Sequence, residues 1–432
     1  LGLGDLGANG MGIAVGKSML YTAAAGVAPS QVLPVAVDAG CGTAAVRDDP
    51  LYVGLRRDRE RGPAYDALVQ ELVQALRARY GKSLLLHWED FGSSNAFRLL
   101  KKYQENSLLP TFNDDIQSTA AAVLAALLGA VRISGVAPLT KQRLLFYGAG
   151  QANLGAAKLF VTALKNRGVS ETTAKRQVWM MDSKGLLTSD RKDLSQQKAE
   201  FARTPDELNI SSDSRKNLLR VVMELKPTAL IGAASVKGAF TQEIIERLTT
   251  GLQQGNSPVV RPVVMALSNP LTRAECTAEE AIRWSGGAAV FASGTKFAPV
   301  KKTSGDEIVP SQANNSLIFP GIGLGCLAAG ATRVTDDMFY AAAYAVAQAT
   351  TEEELRRGSV LPSVKRLRDV TVSVAAQVAE QAQLSMVATT TPTGALGCLE
   401  TAISESAVEN STVFDAELEC IRSLQYSPNQ QR

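Results

Sequence analysis

The feature that most constrains this chain is a junction: the apolar run 143–147 passes directly into Gly148-Ala149-Gly150, and a helical pattern opens at Gln151 and Ala152. Strand, glycine turn and helix in that order form the signature of a dinucleotide-binding unit. Gly148 permits the tight turn, and Gly150 lets backbone amides approach a pyrophosphate at the positive end of the helix. The usual third glycine is replaced by Asn153, so close helix–sheet packing is expected to fall to Gly155. The next run, 177–182, ends in Asp182, an acid positioned to accept from an adenosine ribose. Ser183, Lys184 and Lys198 supply hydroxyl and ammonium donors for the 2′-phosphate that Asp182 alone would repel, which favours NADP over NAD. Those lysines equally suit an ordinary solvated face. A second match to the glycine pattern, Gly2-x-Gly4-x-x-Gly7, has no strand before it and reads as a decoy.

β-Prone apolar runs at 32–38, 83–88, 143–147, 177–182, 229–232, 263–268 and 288–292 alternate with helical patterns such as 65–80 and 152–165. Alternation of this kind specifies parallel sheets covered by helices. The Ala-rich run 118–131 falls short of the ~20 residues of a membrane span and reads as a buried helix. Beyond Pro320 the β signal fades, and 338–348, 352–358 and 370–384 look helical. The expected fold class is therefore α/β: a Rossmann-type parallel-sheet cofactor domain, a second α/β catalytic domain and a helical C-terminal part. With 432 residues and 45% hydrophobic content, the chain exceeds one ordinary core. From Thr389 onward the composition suggests a loosely ordered tail.

Net charge and metal-ligand residues narrow the chemistry. A formal charge of +3 gives no reason to expect a nucleic-acid or lipid partner and favours small molecules. Cys41, Cys276, Cys326, Cys398 and Cys420 show no paired spacing, which argues against a disulfide framework or thiolate zinc site. The single histidine, His87, excludes histidine-rich metal sites and reads as structural within its apolar run. The start at Leu1 enters a glycine-rich motif without an initiator Met, so an N-terminal portion with any targeting region is expected to be missing.

Two acidic pairs carry the strongest chemical signal. Glu89-Asp90 follows the strand run 83–88, and strand C-terminal ends are where open α/β sheets assemble sites. Asp114-Asp115 precedes a helix, where one carboxylate suffices for capping. If the pairs converge, hard oxygen ligands without His or Cys select Mg²⁺ or Mn²⁺, an ion able to polarise a substrate oxygen. Lys17 lies in small, apolar surroundings where lost solvation would lower its pKa, as a general base requires, although a snorkelling lysine fits the same pattern.

The segments LGLGDLGANGMGI, WEDFGSSNAFRLLKKY, TFNDDIQ, GAGQANLG, ALSNP, FASG and NNSLIFPG together resemble malic enzyme, the oxidative decarboxylase of malate, over roughly residues 1–386. The resemblance implies that Lys17 is the general base, Asp114 its orienting carboxylate, and Glu89, Asp90 and Asp115 the metal ligands. It assigns Asn269 to nicotinamide or substrate and Asn315 to substrate. It divides the chain into a catalytic segment at 1–113, a cofactor domain at 114–314, a return segment at 315–386 and a tail at 387–432. It further implies malate and pyruvate as ligands, NADP or NAD with Mg²⁺ or Mn²⁺, a homo-oligomer (dimer or tetramer), and a cytoplasmic or mitochondrial-matrix location.

In the implied reaction Lys17 takes the C2 hydroxyl proton as hydride leaves for nicotinamide, oxaloacetate loses CO₂, and the enol form of pyruvate is protonated at C3. The family's general-acid tyrosine and substrate arginine lie upstream of Leu1. Ser118, Ser311 and Ala313 stand where the family usually has glycine, and 106–110 is a slightly longer connection before Asp115. Two other readings stay open: a different NAD(P)-linked dehydrogenase of the amino-acid-dehydrogenase type, and a non-catalytic form that binds cofactor or oligomerises. Whether Glu89, Asp90 and Asp115 meet at one point separates the first of these from the malate reading.

Overall fold

A computed structural model describes residues 5–105, 109–207, 210–253, 260–302 and 305–390, with Leu418, Ile421, Arg422 and Gln425. Gly2 and Gly4 of the first glycine match, 106–108 of the connection before Asp115, and most of the tail lie outside the described residues.

The larger sheet shows why its runs read as continuously apolar. Its strands are β3 (Leu144–Tyr147), β4 (Val178–Asp182), β5 (Gly185–Leu186), β6 (Ala229–Gly232), β7 (Val263–Ala266), β8 (Val290–Ser293) and β11 (Ser311–Gln312), in the order β11-β8-β7-β6-β3-β4-β5. All neighbours are parallel except β4 and β5. Side chains alternate between two cores with the period of two that a strand imposes. Leu144, Phe146, Val178, Met180, Ala229, Ile231, Val263 and Met265 enter one core, whereas Leu145, Trp179, Met181, Leu230, Val264 and Phe291 enter the other. Helices Thr119–Ala130, Gln151–Lys165 and Asp336–Gln348 cover the first face. Helices Leu218–Leu225, Gln242–Gly251 and Ala278–Trp284 cover the second. This is the expected doubly covered parallel sheet.

A smaller unit stands before it. Strand β1 (Leu86–Trp88) pairs in parallel with β2 (Thr111–Asn113). Helices Pro63–Tyr80 and Ser93–Glu105 pack beside this pair, burying Tyr65, Val69, Val73, Trp88, Leu99 and Tyr103. The expected strand over 32–38 is not formed: the segment has no regular secondary structure and pairs with no strand among the described residues. Pro34 removes a donor, and Leu33 and Val35 are 56% and 42% exposed, so no sheet or core rewards the local β-propensity. A two-strand hairpin, β9 (Val300–Lys301) with β10 (Glu307–Ile308), and the buried helix Phe319–Ala328 were not anticipated from the apolar pattern.

Ser311, one of the departures from the family's glycine pattern, has a structural use here. Its buried hydroxyl accepts from the N–H groups of Val360 (2.8 Å) and Leu361 (3.2 Å), tying β11 to a distant loop. Ser311→Ala should therefore lower the free energy of unfolding by about 1–3 kcal/mol, because buried donors lose their acceptor. Urea unfolding measures this directly; a change too small to resolve would remove the hydroxyl's structural role.

Candidate active site

The acidic pairs meet because of strand register. β1 and β2 run side by side with Trp88 opposite Asn113, so the next residues, Glu89-Asp90 and Asp114-Asp115, leave the same end of the pair at the same level. Asp90 adopts a left-handed conformation (φ 57°), a cost that aspartate tolerates better than most residues. Its N–H donates to Asp115 Oδ2 at 2.9 Å. Asp114 and Asp115 open a π-helical turn, Asp114–Ser118, whose cap is Asn113: the Asn113 side chain accepts from the Ile116 N–H. The expectation that one aspartate caps the helix is thus corrected, and neither carboxylate is spent on capping.

Helix Met11–Ala23 brings Lys17 and Tyr21 to the same place, one turn apart on one face. Lys17 Nζ lies 2.5 Å from Asp114 Oδ2, 3.4 Å from Glu89 Oε1 and 4.6 Å from the centroid of the Phe319 ring. The Asn315 side-chain amide donates to the same Asp114 Oδ2, so Asn315 holds a carboxylate of the site. The His87 ring is packed against Phe112 and Phe319 as a structural residue would be, with Nδ1 2.9 Å from the Tyr21 hydroxyl. It also faces the site, with Nε2 3.6 Å from Glu89 Oε2 and 3.7 Å from Asp114 Oδ1. Sequence reasoning missed Tyr21 and this second aspect of His87; the four-residue spacing of Lys17 and Tyr21 was the available signal.

The electrostatics follow from burial and crowding. Burial, then the charge of Asp114, pushes the Glu89 carboxyl upward, and burial with Asp90 and Asp114 pushes Asp115 up to about 6. Burial and the Lys17 charge hold His87 down at about 4, against the pull of Asp114, so the ring is neutral near pH 7. Burial alone would depress the Lys17 ammonium, as expected from its surroundings, but Asp114 and Glu89 outweigh it and the net shift is upward. The expected lowered pKa is therefore corrected: nearby carboxylates hold the proton on Lys17. Asp114 shows the complementary balance, raised by burial and brought below its ordinary value mainly by Lys17.

Glu89, Asp90 and Asp115 offer carboxylate oxygens that all lie within 4.8 Å of one another. Glu89 Oε2 and Asp115 Oδ1 are buried without a hydrogen-bond partner among the described residues. An all-oxygen donor set of this kind fits Mg²⁺ or Mn²⁺.

The glycine junction sits at the point where strand order reverses, since β3 is flanked by β4 on one side and β6 on the other. Gly148 has φ +101°, and a Cβ there would come within 2.7 Å of the Ala233 carbonyl, so only glycine fits. Gly150 precedes the helix opened by Gln151 and Ala152, and a Cβ on Gly150 would meet nothing within 4 Å. Asn153 is fully buried and donates to the carbonyls of Tyr147 and Gly148, fastening the turn. At Gly155 a Cβ would lie 2.4 Å from the Ile116 carbonyl, the close approach expected there. Asn269 is exposed beyond the end of β7.

Asp182 differs from expectation. Arg191, which the sequence reading did not single out, donates to both its oxygens at 2.8 and 2.9 Å, and Lys198 donates to Oδ2 at 2.8 Å. Both oxygens are engaged, so this carboxylate is no longer an open ribose acceptor. Burial alone would raise its pKa, but Arg191, Lys198 and the Lys184 N–H together bring it below the ordinary value. Ser183 is exposed beside it, and Lys184 pairs with Asp193.

A parallel sheet with a glycine turn at its switch point, joined to a lysine–carboxylate cluster, has the plan of a dinucleotide-binding α/β protein. Comparison with known proteins makes this specific. The malic enzyme N-terminal domain matches residues 1–104, and the malic enzyme NAD binding domain matches residues 116–383. The chain is 43% identical to the NADP-dependent malic enzyme of Rattus norvegicus over 91% of its own length and 66% of that protein's. It is 44% identical to the NADP-dependent malic enzyme of Columba livia, covering 91% of this chain and 67% of that one. A malic enzyme structure from Pyrococcus horikoshii shares the fold, with a TM-score of 0.65 at 24% identity, covering 96% of this chain and 77% of that one. The chain belongs to the malic enzyme family. It spans about two thirds of the length of these curated relatives.

Asp115 generates a stability test. Its carboxyl is raised to about 6, above the ordinary 3.8, so its contribution to stability is fully present below about pH 4 and is lost as pH rises through 6. Asp115→Asn removes the charge without changing shape, and in EDTA at pH 7.5 should stabilise the protein by on the order of 1–3 kcal/mol. Chemical denaturation with and without EDTA reads this; a variant less stable than the parent in EDTA would contradict the crowded-carboxylate account.

Proposed function

We propose that this protein oxidatively decarboxylates malate to pyruvate and CO₂ with reduction of NADP, dependent on Mg²⁺ or Mn²⁺. The observation that carries this reading is the meeting of Glu89, Asp90 and Asp115 beside the Lys17–Asp114 pair. The same convergence disfavours an amino-acid dehydrogenase, which has no use for a carboxylate cation site. Glu89, Asp90 and Asp115 would hold the ion, which supplies a positive charge to a hydroxy-acid oxygen and to the carbonyl formed from it. NADP supplies the hydride acceptor, held at Gly148, Gly150, Gln151 and Ala152 with its adenosine end near Asp182, Ser183 and Lys198.

Lys17 receives the proton of the C2 hydroxyl as hydride leaves C2 for the nicotinamide. Asp114 orients Lys17 through its 2.5 Å contact, and Asn315 in turn fixes Asp114. Asn269, at the C-terminal side of the sheet, suits a carboxamide or hydroxy-acid contact because its amide both donates and accepts. NADP is preferred over NAD because Arg191 and Lys198 neutralise Asp182, whose charge would otherwise repel a 2′-phosphate. NAD-dependent use of the same crevice remains the lesser activity in this reading.

Residues 1–113 and 315–386 form the catalytic unit in this proposal, 114–314 the cofactor unit and 387–432 a tail. Self-association is inferred from Met11, Val15 and Met19, exposed at 44, 46 and 67% and spaced one turn apart along one helix. Among the described residues, no helix is long and apolar enough to cross a membrane. Cytoplasmic or mitochondrial-matrix residence agrees with relatives that include both mitochondrial and unqualified forms by name.

The decisive assay uses the longest natural chain containing these residues, with malate and Mg²⁺. NADPH and CO₂ should appear in equal amounts; folded protein that binds NADP yet forms no NADPH from malate would refute the proposal. Asp115→Ala should weaken Mn²⁺ binding by about tenfold or more, whereas Asp114→Ala should mainly slow turnover. Equal loss of Mn²⁺ affinity in the two variants, read by electron paramagnetic resonance, would abolish the division of roles. Lys198→Gln should raise KM for NADP about tenfold, the worth of one charge-assisted contact, and leave KM for NAD nearly unchanged. Parallel changes with both cofactors would remove Lys198 from 2′-phosphate recognition.

A further inference from the structure

Each carboxylate beside Lys17 has one oxygen engaged and one left over. Asp114 presents Oδ2 to Lys17 and Asn315, leaving Oδ1 buried and without a partner among the described residues. Glu89 turns Oε1 toward Lys17, leaving Oε2 in the same condition. A third buried atom without a hydrogen bond, His87 Nε2, faces both. It lies 3.6 Å from Glu89 Oε2 and 3.7 Å from Asp114 Oδ1, too far for good hydrogen bonds. The three side chains nevertheless present ligand atoms within 4.8 Å of one another. Ligands bound at 2.0–2.1 Å around a tetrahedral ion stand about 3.4 Å apart, close to the observed spacing.

We propose that His87 Nε2, Glu89 Oε2 and Asp114 Oδ1 form a second cation site that takes Zn²⁺, sharing Glu89 with the all-oxygen site of Glu89, Asp90 and Asp115. The imidazole nitrogen sets its selectivity. Mg²⁺ prefers oxygen and octahedral geometry, whereas Zn²⁺ accepts one nitrogen and two carboxylates in a tetrahedron with a fourth position open. The ring is held for this task. Phe112 and Phe319 pack against it, and the Tyr21 hydroxyl 2.9 Å from Nδ1 accepts Nδ1–H in the tautomer that leaves a lone pair on Nε2. Such an outer partner for a ligating imidazole both orients it and increases its basicity. Lys17 remains on the opposite oxygens of both carboxylates, so its ion pair with Asp114 need not break. Zn²⁺ here withdraws Glu89 from the all-oxygen site and should inhibit an Mg²⁺-supported reaction.

His87 is the only histidine in the chain, so its ring can be read without a variant. Tag-free protein carrying ¹⁵N-labelled histidine gives one pair of ring nitrogens in a long-range proton–nitrogen spectrum. Excess Mg²⁺ should leave the pair in place. One equivalent of Zn²⁺ added on top should shift Nε2 to a metal-bound position and leave Nδ1 protonated. Ring nitrogens unmoved by stoichiometric Zn²⁺ would mean that the gap holds only water and would overturn the proposal. His87→Gln, checked for folding by its thermal transition, should weaken Zn²⁺ binding about tenfold or more while Mg²⁺ binding changes less than twofold. Unchanged Zn²⁺ affinity in that variant would also overturn it. These readouts contain no malate or NADP, so they stand or fall separately from the proposed reaction.

Discussion

The structure around the site depends on one pairing: two short parallel strands aligned so that Trp88 stands opposite Asn113. A one-residue slip in either strand would send its carboxylates to the other face, because side-chain direction alternates along a strand. In the observed register four carboxyl groups emerge together, and Lys17 is held against Glu89 and Asp114 by short contacts. Burial raises the cost of each carboxylate held there. The raised Asp115 and Glu89 carboxyls express this cost. The surrounding fold supplies the free energy that keeps them together: Trp88 packs into the aromatic and aliphatic core of the smaller unit, while Phe112 enters the large core.

That arrangement is mechanically joined to the dinucleotide crevice. Gly155, one turn into the helix after the glycine junction, lies against the Ile116 carbonyl, and Ile116 directly follows Asp115. A side chain at 155 would push the helix away from the turn that presents both aspartates. Asn315 makes the second connection, reaching from the chain just after β11 to Asp114. Spacing between the acidic cluster and the cofactor turn is thus set by backbone contact and a hydrogen bond, and owes nothing to a flexible linker. A reaction between a bound hydroxy acid and a nicotinamide needs this kind of fixed separation.

Much of this was legible in the sequence because strand period and glycine turns act locally. The runs 143–147, 177–182, 229–232 and 263–268 became β3, β4, β6 and β7 with small boundary changes. The run 32–38 was misread because β-propensity around Pro34 says nothing about whether a partner strand exists. In the site, residue types and spacing marked Lys17 and both acidic pairs as candidates, the family resemblance suggested their roles, and register decided that they meet. Arg191 was invisible for a physical reason: its value lies in a bidentate contact across the β4–β5 return, and an arginine in a polar loop looks like any solvated charge. His87 was read from its apolar neighbours, which describe one side of its ring and miss the carboxylates on the other.

The upward shift of Lys17 carries the chemistry one step further. Its surroundings are apolar enough to favour the neutral amine, yet Asp114 and Glu89 reverse that preference. A lysine kept charged by its neighbours is a poor base, so proton transfer through Lys17 requires that carboxylate charge be taken up by something else. Glu89 is the residue through which that can happen, because it faces Lys17 with Oε1 and belongs to the three-carboxylate cluster proposed to hold a cation. A divalent cation there would draw on the same negative charge that stabilises the ammonium. In the proposed reaction, cation binding and the basicity of Lys17 would thereby be coupled through one side chain, so that Lys17 would accept a proton in the state in which the substrate oxygen is already polarised.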